Sequence, residues 1–167
     1  APTQESVNPL AIAMDQVRTL QANFSLPTAQ TRLWNGNGFW ESATNWTPAG
    51  VPAYHDNIHI QSGTVILDVA RGAASLTVSN GATLVFTNWN TKLSVTNDLT
   101  IRNGGTITLP VAFTNNQMSN RVYMACGNLT IEPTGKIDAN YKGWAHDTGP
   151  GRGWGGSHRS GAGHGGK

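Results

Sequence analysis

The sequence predicts an all-β fold, a right-handed parallel β-helix (β-solenoid), with an N-terminal amphipathic helix and a Gly-rich C-terminal extension. Three observations carry that prediction. The first is a repeat: "SLTVSNGATL", "DLTIRNGGTI" and "NLTIEPTGKI" follow one pattern. Leu76, Thr77 and Val78 align with Leu99, Thr100 and Ile101, and again with Leu129, Thr130 and Ile131. Eight residues beyond each leucine stands Leu84, Ile107 or Ile137, with Gly81, Gly104 or Gly105, and Gly135 in between. The offsets are 99 − 76 = 23 and 129 − 99 = 30 residues, a period that marks solenoids. The second observation is apolar/polar alternation over short runs bounded by Gly and Asn, the signature of brief strands between turns. The third is composition: only 12% of the residues are charged, about half the usual share, while Gly, Thr and Asn abound.

A unit of about three short strands cannot bury its own apolar side chains. Stacking the next coil on it closes the core and pairs the backbone groups. Leu76, Val78, Leu84, Phe86, Leu93, Val95, Leu99, Ile101, Ile107, Leu109, Leu129, Ile131 and Ile137 are therefore expected to point inward. Right-handed coiling follows from the crossover preference of parallel strands. An antiparallel β-sandwich is the competing fold, since it too shows many short strands, but it does not demand an in-phase repeat.

Along the chain, 1–32 reads as an extension with a capping or docking helix, 33–139 as the β-solenoid, and 140–167 as a Gly-rich segment. The helix is expected over 9–23: Asn8 N-caps, Pro9 suits the first turn, and Pro27 bars continuation. Leu10, Met14, Val17 and Leu20 form its apolar stripe, which covers either its own domain or another subunit. Strands are expected at 58–60 and 64–69, with further strand-like pieces at "KLSV" and "VYMA". The seven extra residues of the longer repeat fit a loop in "PVAFTNNQMSN". Both ends of a stack expose unpaired strand edges; the helix is a credible cap for one end, and nothing similar closes the other. Ten of the chain's 20 Gly fall in 140–167, which reads either as a flexible tail or, with Tyr141, Trp144 and Trp154, as an ordered segment packed against a neighbouring chain.

Charge excludes some functions. The net charge is +2, and 140–167 holds Lys142, Arg152, Arg159 and Lys167 against Asp147, or +3, so the body carries 2 − 3 = −1. A nucleic-acid surface needs a clustered basic face, so no nucleic-acid partner is expected. No apolar run is long enough to span a membrane. The lone Cys126 can form no intrachain disulfide and lies in the apolar run "VYMACGNLTI", as a small core residue would. The opening "APTQ" resembles what a signal peptidase leaves, and sequons stand at Asn23, Asn45 and Asn128. A secreted or cell-surface location is expected.

Candidate functional residues are few. Trp34, Trp40 and Trp46 recur at intervals of six; with Trp89 they offer rings that either stack on sugars or fold inward and plug the end of the core. His55 and His59 lie about 13 Å apart on a strand, too far for one metal, and Asp56 is expected to cap a turn. His146, His158 and His164 fit no tight metal motif. Asp68, Asp98, Glu132 and Asp138 are spread through the repeats, without the convergence that glycoside chemistry needs. No catalytic residue, cofactor or metal is expected, and the chain does not read as an enzyme.

The stretch "WNGNGFWESATNWTPAGVPAYHDNIHI", followed by "GTVILDV", "SLTVSNGATLVF" and "DLTIRNGGTITL", resembles the opening of bacterial secreted right-handed parallel β-helix proteins, the autotransporter-like, filament and adhesin type. The likeness spans about 33–139 and rests on Trp34 to Gly36, Asn45-Trp46, Val51-Pro52 and the Asp56 before a strand. It implies a scaffold for adhesion or display rather than a catalyst. The chain departs from that group by carrying a helix before the Trp motif and a Gly-rich end. The expectation is an extracellular structural subunit that forms a homopolymer or joins another surface protein. Leu10, Met14, Val17, Leu20, Tyr141, Trp144 and Trp154 would make its subunit contacts. The alternative is a carbohydrate-binding or adhesion module using Trp34, Trp40, Trp46 and Trp89 on glycans; a polysaccharide-degrading enzyme comes third.

Overall fold

Two sheets share the chain, which passes back and forth between them. The computed structural model describes residues 28–114, 119–145 and 148–149. The helix expected over 9–23, with Leu10, Met14, Val17 and Leu20, lies outside these residues, as does Trp154. The strands are β1 (Thr31–Trp34), β2 (Asn37–Phe39), β3 (Trp46–Thr47), β4 (Asn57–Ile60), β5 (Gly63–Leu67) and β6 (Arg71–Ala73). They continue as β7 (Ser75–Val78), β8 (Ala82–Phe86), β9 (Leu93–Ile101), β10 (Thr106–Thr108), β11 (Met124–Ile131) and β12 (Lys136–Asp138). A seven-stranded sheet runs β11-β9-β7-β4-β1-β3, with β6 added beside β9; a five-stranded sheet runs β12-β10-β8-β5-β2. All pairs are parallel except β1 with β3.

The repeat becomes vertical register. Leu76 pairs with Leu99 and Leu99 with Leu129, while Val78, Ile101 and Ile131 form a second column. In the other sheet Val65, Leu84, Ile107 and Ile137 align. Alternation puts these side chains on one face and Thr77, Thr100 and Thr130 on the other. Ten of the thirteen residues expected inside are buried, from Leu76 through Leu109. At the shared turn, Gly104 takes a left-handed φ of 74°, and a Cβ on Gly135 would lie 2.6 Å from the Ile101 carbonyl of the layer beneath.

A third short ladder completes the arrangement. β6 pairs with the first half of β9, and that half with the start of β11, while the second half of β9 pairs with β7. "KLSV" and "VYMA" thus became the leading halves of longer strands that turn a corner. The register shift between Cys126 and Asn128 marks that corner in β11.

The two ends differ. At β1 the antiparallel β3 covers the edge, and Trp34, Trp40 and Trp46 fill the space beneath the first layer. Their rings meet edge-on: Trp34 to Trp46 at 4.9 Å, Trp40 to Trp46 at 5.1 Å. The Trp46 Nε1 donates to the Trp40 carbonyl at 2.7 Å, so its polar group is satisfied inside the plug. At the opposite end, no strand among the described residues pairs with the outer edge of β11 or β12. Leu129, Ile131 and Ile137 were expected to be covered; they sit in register with the buried columns yet remain 45%, 44% and 37% exposed. Nothing lies on top of them among the described residues, which is the reason for the difference.

Contacts also carry past residue 139, the boundary set by composition. Phe113 bridges to Trp144, and their rings pack edge-on at 4.5 Å. Tyr141 is almost fully exposed at a left-handed φ of 55°.

The column geometry orders the cost of truncation. Leu99→Ala, between two leucines, is expected to lower stability by about 3 kcal/mol, and Leu129→Ala, at the uncovered end, by about 1 kcal/mol. Denaturant unfolding of the two variants measures the difference.

Candidate functional site

Burial decides which aromatics can meet a ligand. Trp34, Trp40 and Trp46 are 0%, 0% and 1% exposed, so they plug the core and present no face to a sugar. That corrects the glycan-stacking alternative for these three. Trp89, in the turn between β8 and β9, stays at the surface, 37% exposed.

Beside the plug sits a buried ion pair that sequence reading had reduced to a turn cap. Asp56 is 1% exposed. It does accept the Ala53 amide at 2.9 Å, as a cap would, but it also accepts the Gln30 amide at 2.9 Å and Arg32 Nε at 3.3 Å. Arg32 Nη1 in turn donates to the Pro48 and Ala49 carbonyls. Burial pushes the Asp56 carboxyl upward, yet the two amides and the Arg32 guanidinium together outweigh it and hold its pKa below the ordinary value. Arg32 was the available signal: a charged residue at a strand position whose column above it, Ile58 and Leu76, is apolar.

Sites for metal or acid–base chemistry do not assemble among the described residues. No group of three or more His, Cys, Asp or Glu there is placed to hold a metal ion. His55 lies 3.8 Å from Asp56 and against the Tyr54 ring, while His59 faces out between Leu33 and Thr77. Three of the four dispersed carboxylates have local duties, while Asp68 Oδ1 is buried without a hydrogen-bond partner among the described residues. Asp98 accepts from Asn128 Nδ2, Glu132 from the Asn103 amide, and Asp138 from the Asn140 amide and Lys136.

Two surfaces remain as candidates. One is the final layer of Leu129, Ile131 and Ile137, uncovered among the described residues, with the outer edges of β11 and β12 that no described strand pairs. Next to β12, a cavity of about 450 Å³ opens between Leu109, Phe113, Ala139 and Trp144. Trp144 is thereby engaged within its own chain, while Tyr141 is free to meet a neighbour. The other surface is lateral. The Arg121 guanidinium carbon lies 4.6 Å from the centre of the Trp89 ring and 4.2 Å from that of Tyr123, and Lys92 Nζ lies 5.6 Å from the Tyr123 ring. Sequence reading had singled out Trp89 but not its partners, because they meet only when the turn before β9 stacks under the approach to β11.

Residues 33–145 match the family model described as a domain of unknown function, DUF8693. The chain belongs to that family. The match begins inside β1 and ends one residue past the Trp144 bridge, so the DUF8693 domain takes in the Trp plug, both sheets and both candidate surfaces. The chain matches no curated protein and no solved structure.

The Asp56 pair makes the DUF8693 domain acid-sensitive. Its lowered folded pKa contributes stability that is complete above the ordinary carboxylate range and is lost as pH falls through the folded value. Asp56→Asn should cost about 2 kcal/mol at pH 7, because an amide nitrogen cannot accept from the donors gathered there. It should also flatten the fall in stability below pH ~4; melting temperatures of both proteins across that range provide the check.

Proposed function

We propose that this chain is an extracellular structural subunit: a right-handed parallel β-helix that associates with copies of itself through its uncovered final layer into a fibre or surface assembly. The parallel pairing of successive strands within each sheet supports the right hand, which crossovers between parallel strands favour. The observation that carries the functional reading is the final layer. Leu129, Ile131 and Ile137 continue three buried columns, and the strands bearing them have a free hydrogen-bonding edge. Such an edge is a template for another strand.

A second copy is the partner because a twofold pairing uses the same surface on both molecules, whereas at the opposite end β3 and the Trp plug cover the core side chains, leaving only the short outer edges of β2 and β3. Covering the exposed part of three aliphatic side chains contributes roughly 1 kcal/mol each. That is modest against the entropy of association, so the paired strand edges and the two extensions must add to it. The segments 1–32 and 140–167 are the connectors that would carry growth beyond a pair. A secreted location fits a chain whose apolar groups serve stacking and whose carboxylates are tied into turns.

Sedimentation velocity over a concentration series tests this. Wild-type protein is expected to shift to dimers and larger species as concentration rises, whereas Ile131→Lys should remain folded and monomeric, its melting temperature lower by only a few degrees. Identical size distributions for the two proteins would remove the final layer as the junction.

A further inference from the structure

We infer that the lateral side of the stack, around Lys92, Arg121, Trp89 and Tyr123, is a binding site for an acidic polysaccharide, a chain of carboxylate-bearing sugars. This site lies on the side of the stack, apart from the exposed Leu129, Ile131 and Ile137, and stands whether or not the domain self-associates.

The cluster is preformed by the layers themselves. The Arg71 amide donates to the Lys92 carbonyl at 2.9 Å, and the Leu93 amide to the Tyr123 carbonyl at 3.0 Å, so residues 71, 92 and 123 climb one side in successive layers. Neighbouring strands lie ~4.8 Å apart, so functional groups rise along this side in short, regular steps. Arg121 is fixed twice: its guanidinium sits against Trp89 and Tyr123, and its Nε donates to the Trp89 carbonyl at 2.6 Å. Among the described residues its Nη groups donate to nothing, and neither Arg121 nor Lys92 faces a carboxylate. Arg71 is different, because Glu41 neutralises it.

Below this cluster the surface is concave. A groove of about 500 Å³ runs between Tyr54, Arg71, Gly72 and Lys92. Gly72 keeps it open: a Cβ there would meet Tyr54 Cβ at 3.2 Å. Lys92 belongs to both the groove and the cluster, which makes them one continuous strip.

The chemistry of the strip selects the ligand. Tyr54, 69% exposed, offers a ring face to the apolar face of a pyranose, while Arg121 covers one face each of Trp89 and Tyr123 and is held by them at the surface. The Nη groups of Arg121, without an acceptor among the described residues, offer paired donors in the geometry a carboxylate accepts, and Lys92 adds a second cation. A neutral glycan leaves both cations without use. A nucleic acid carries a phosphate density that two free cations, on a body of net charge −1, do not match.

Affinity electrophoresis of the full chain through gels containing polygalacturonate, alginate or neutral dextran tests the assignment. Retardation is expected in the two acidic polymers, absent in dextran and reduced by added salt. Arg121→Gln with Lys92→Gln should weaken binding roughly tenfold or more, and Trp89→Phe should weaken it less. Arg102→Gln, an exposed cation outside the strip, should leave it unchanged. Circular dichroism melts of each variant separate lost binding from lost folding. Should Arg102→Gln and the strip double variant weaken binding equally, or the double variant keep full retardation through the basic residues of 140–167, the assignment fails. It fails equally if dextran retards the protein as well as the acidic polymers do.

Discussion

No layer of this protein has an inside of its own. Each passage of the chain contributes a few inward side chains and a few strand backbones, and both become satisfied only when the next passage lies on them in register. Leu76, Leu99 and Leu129 show the dependence most directly. They are one residue type at one position of one repeat, in contact through paired strands, and the first two are fully buried while the third is nearly half exposed. The difference is not chemical. Apolar burial is proportional to area removed from water, and among the described residues the last layer has a neighbour on one side alone.

That dependence makes the two ends the most informative parts of the fold. At the first layer the core would be as open as at the last, were it not for three indoles and a short antiparallel strand. Indoles suit the task because they bring large apolar area with only one N–H each; that of Trp40 has no partner among the described residues. Trp34 and Trp46 both donate theirs to local carbonyls, of Gly36 and Trp40. The Arg32–Asp56 pair fastens the same end from the flank. It ties residues 30, 32, 53 and 56 together around a carboxylate that the tertiary structure has removed from water. A buried carboxylate held by three donors adds geometric definition along with any net stability.

Much of this was legible because periodic burial leaves a periodic trace. The three aligned leucines, the glycines between strands and the alternation of Thr with Val or Ile located the in-register columns and ten of the thirteen residues expected inside. What failed to register has a common physical character. Leu129, Ile131 and Ile137 read as buried because sequence reports which face a side chain takes, not whether anything covers it. Trp34, Trp40 and Trp46 left two readings open because an aromatic ring serves a core and a binding face equally well. Arg32 and Asp56 are 24 residues apart, and Trp89 and Arg121 are 32 apart. Contacts of that span come from stacking, and no local pattern announces them.

Stacking also explains how such a domain can carry recognition on its sides without disturbing its core. Register is set by strands, and the intervals between equivalent positions differ freely: 76 − 58 = 18, then 23, then 30 residues. The variation is absorbed in turns outside the ladders, at a cost that rises only slowly with loop length. Those turns hold Trp89 and the run leading to Arg121 and Tyr123, while the strands beside them keep the turns in fixed steps. The core is thereby constrained to repeat and the side is left free to vary. A lateral surface assembled from unequal loops on an equal ladder can acquire cations and rings one layer at a time, which is the arrangement an extended acidic polymer would meet.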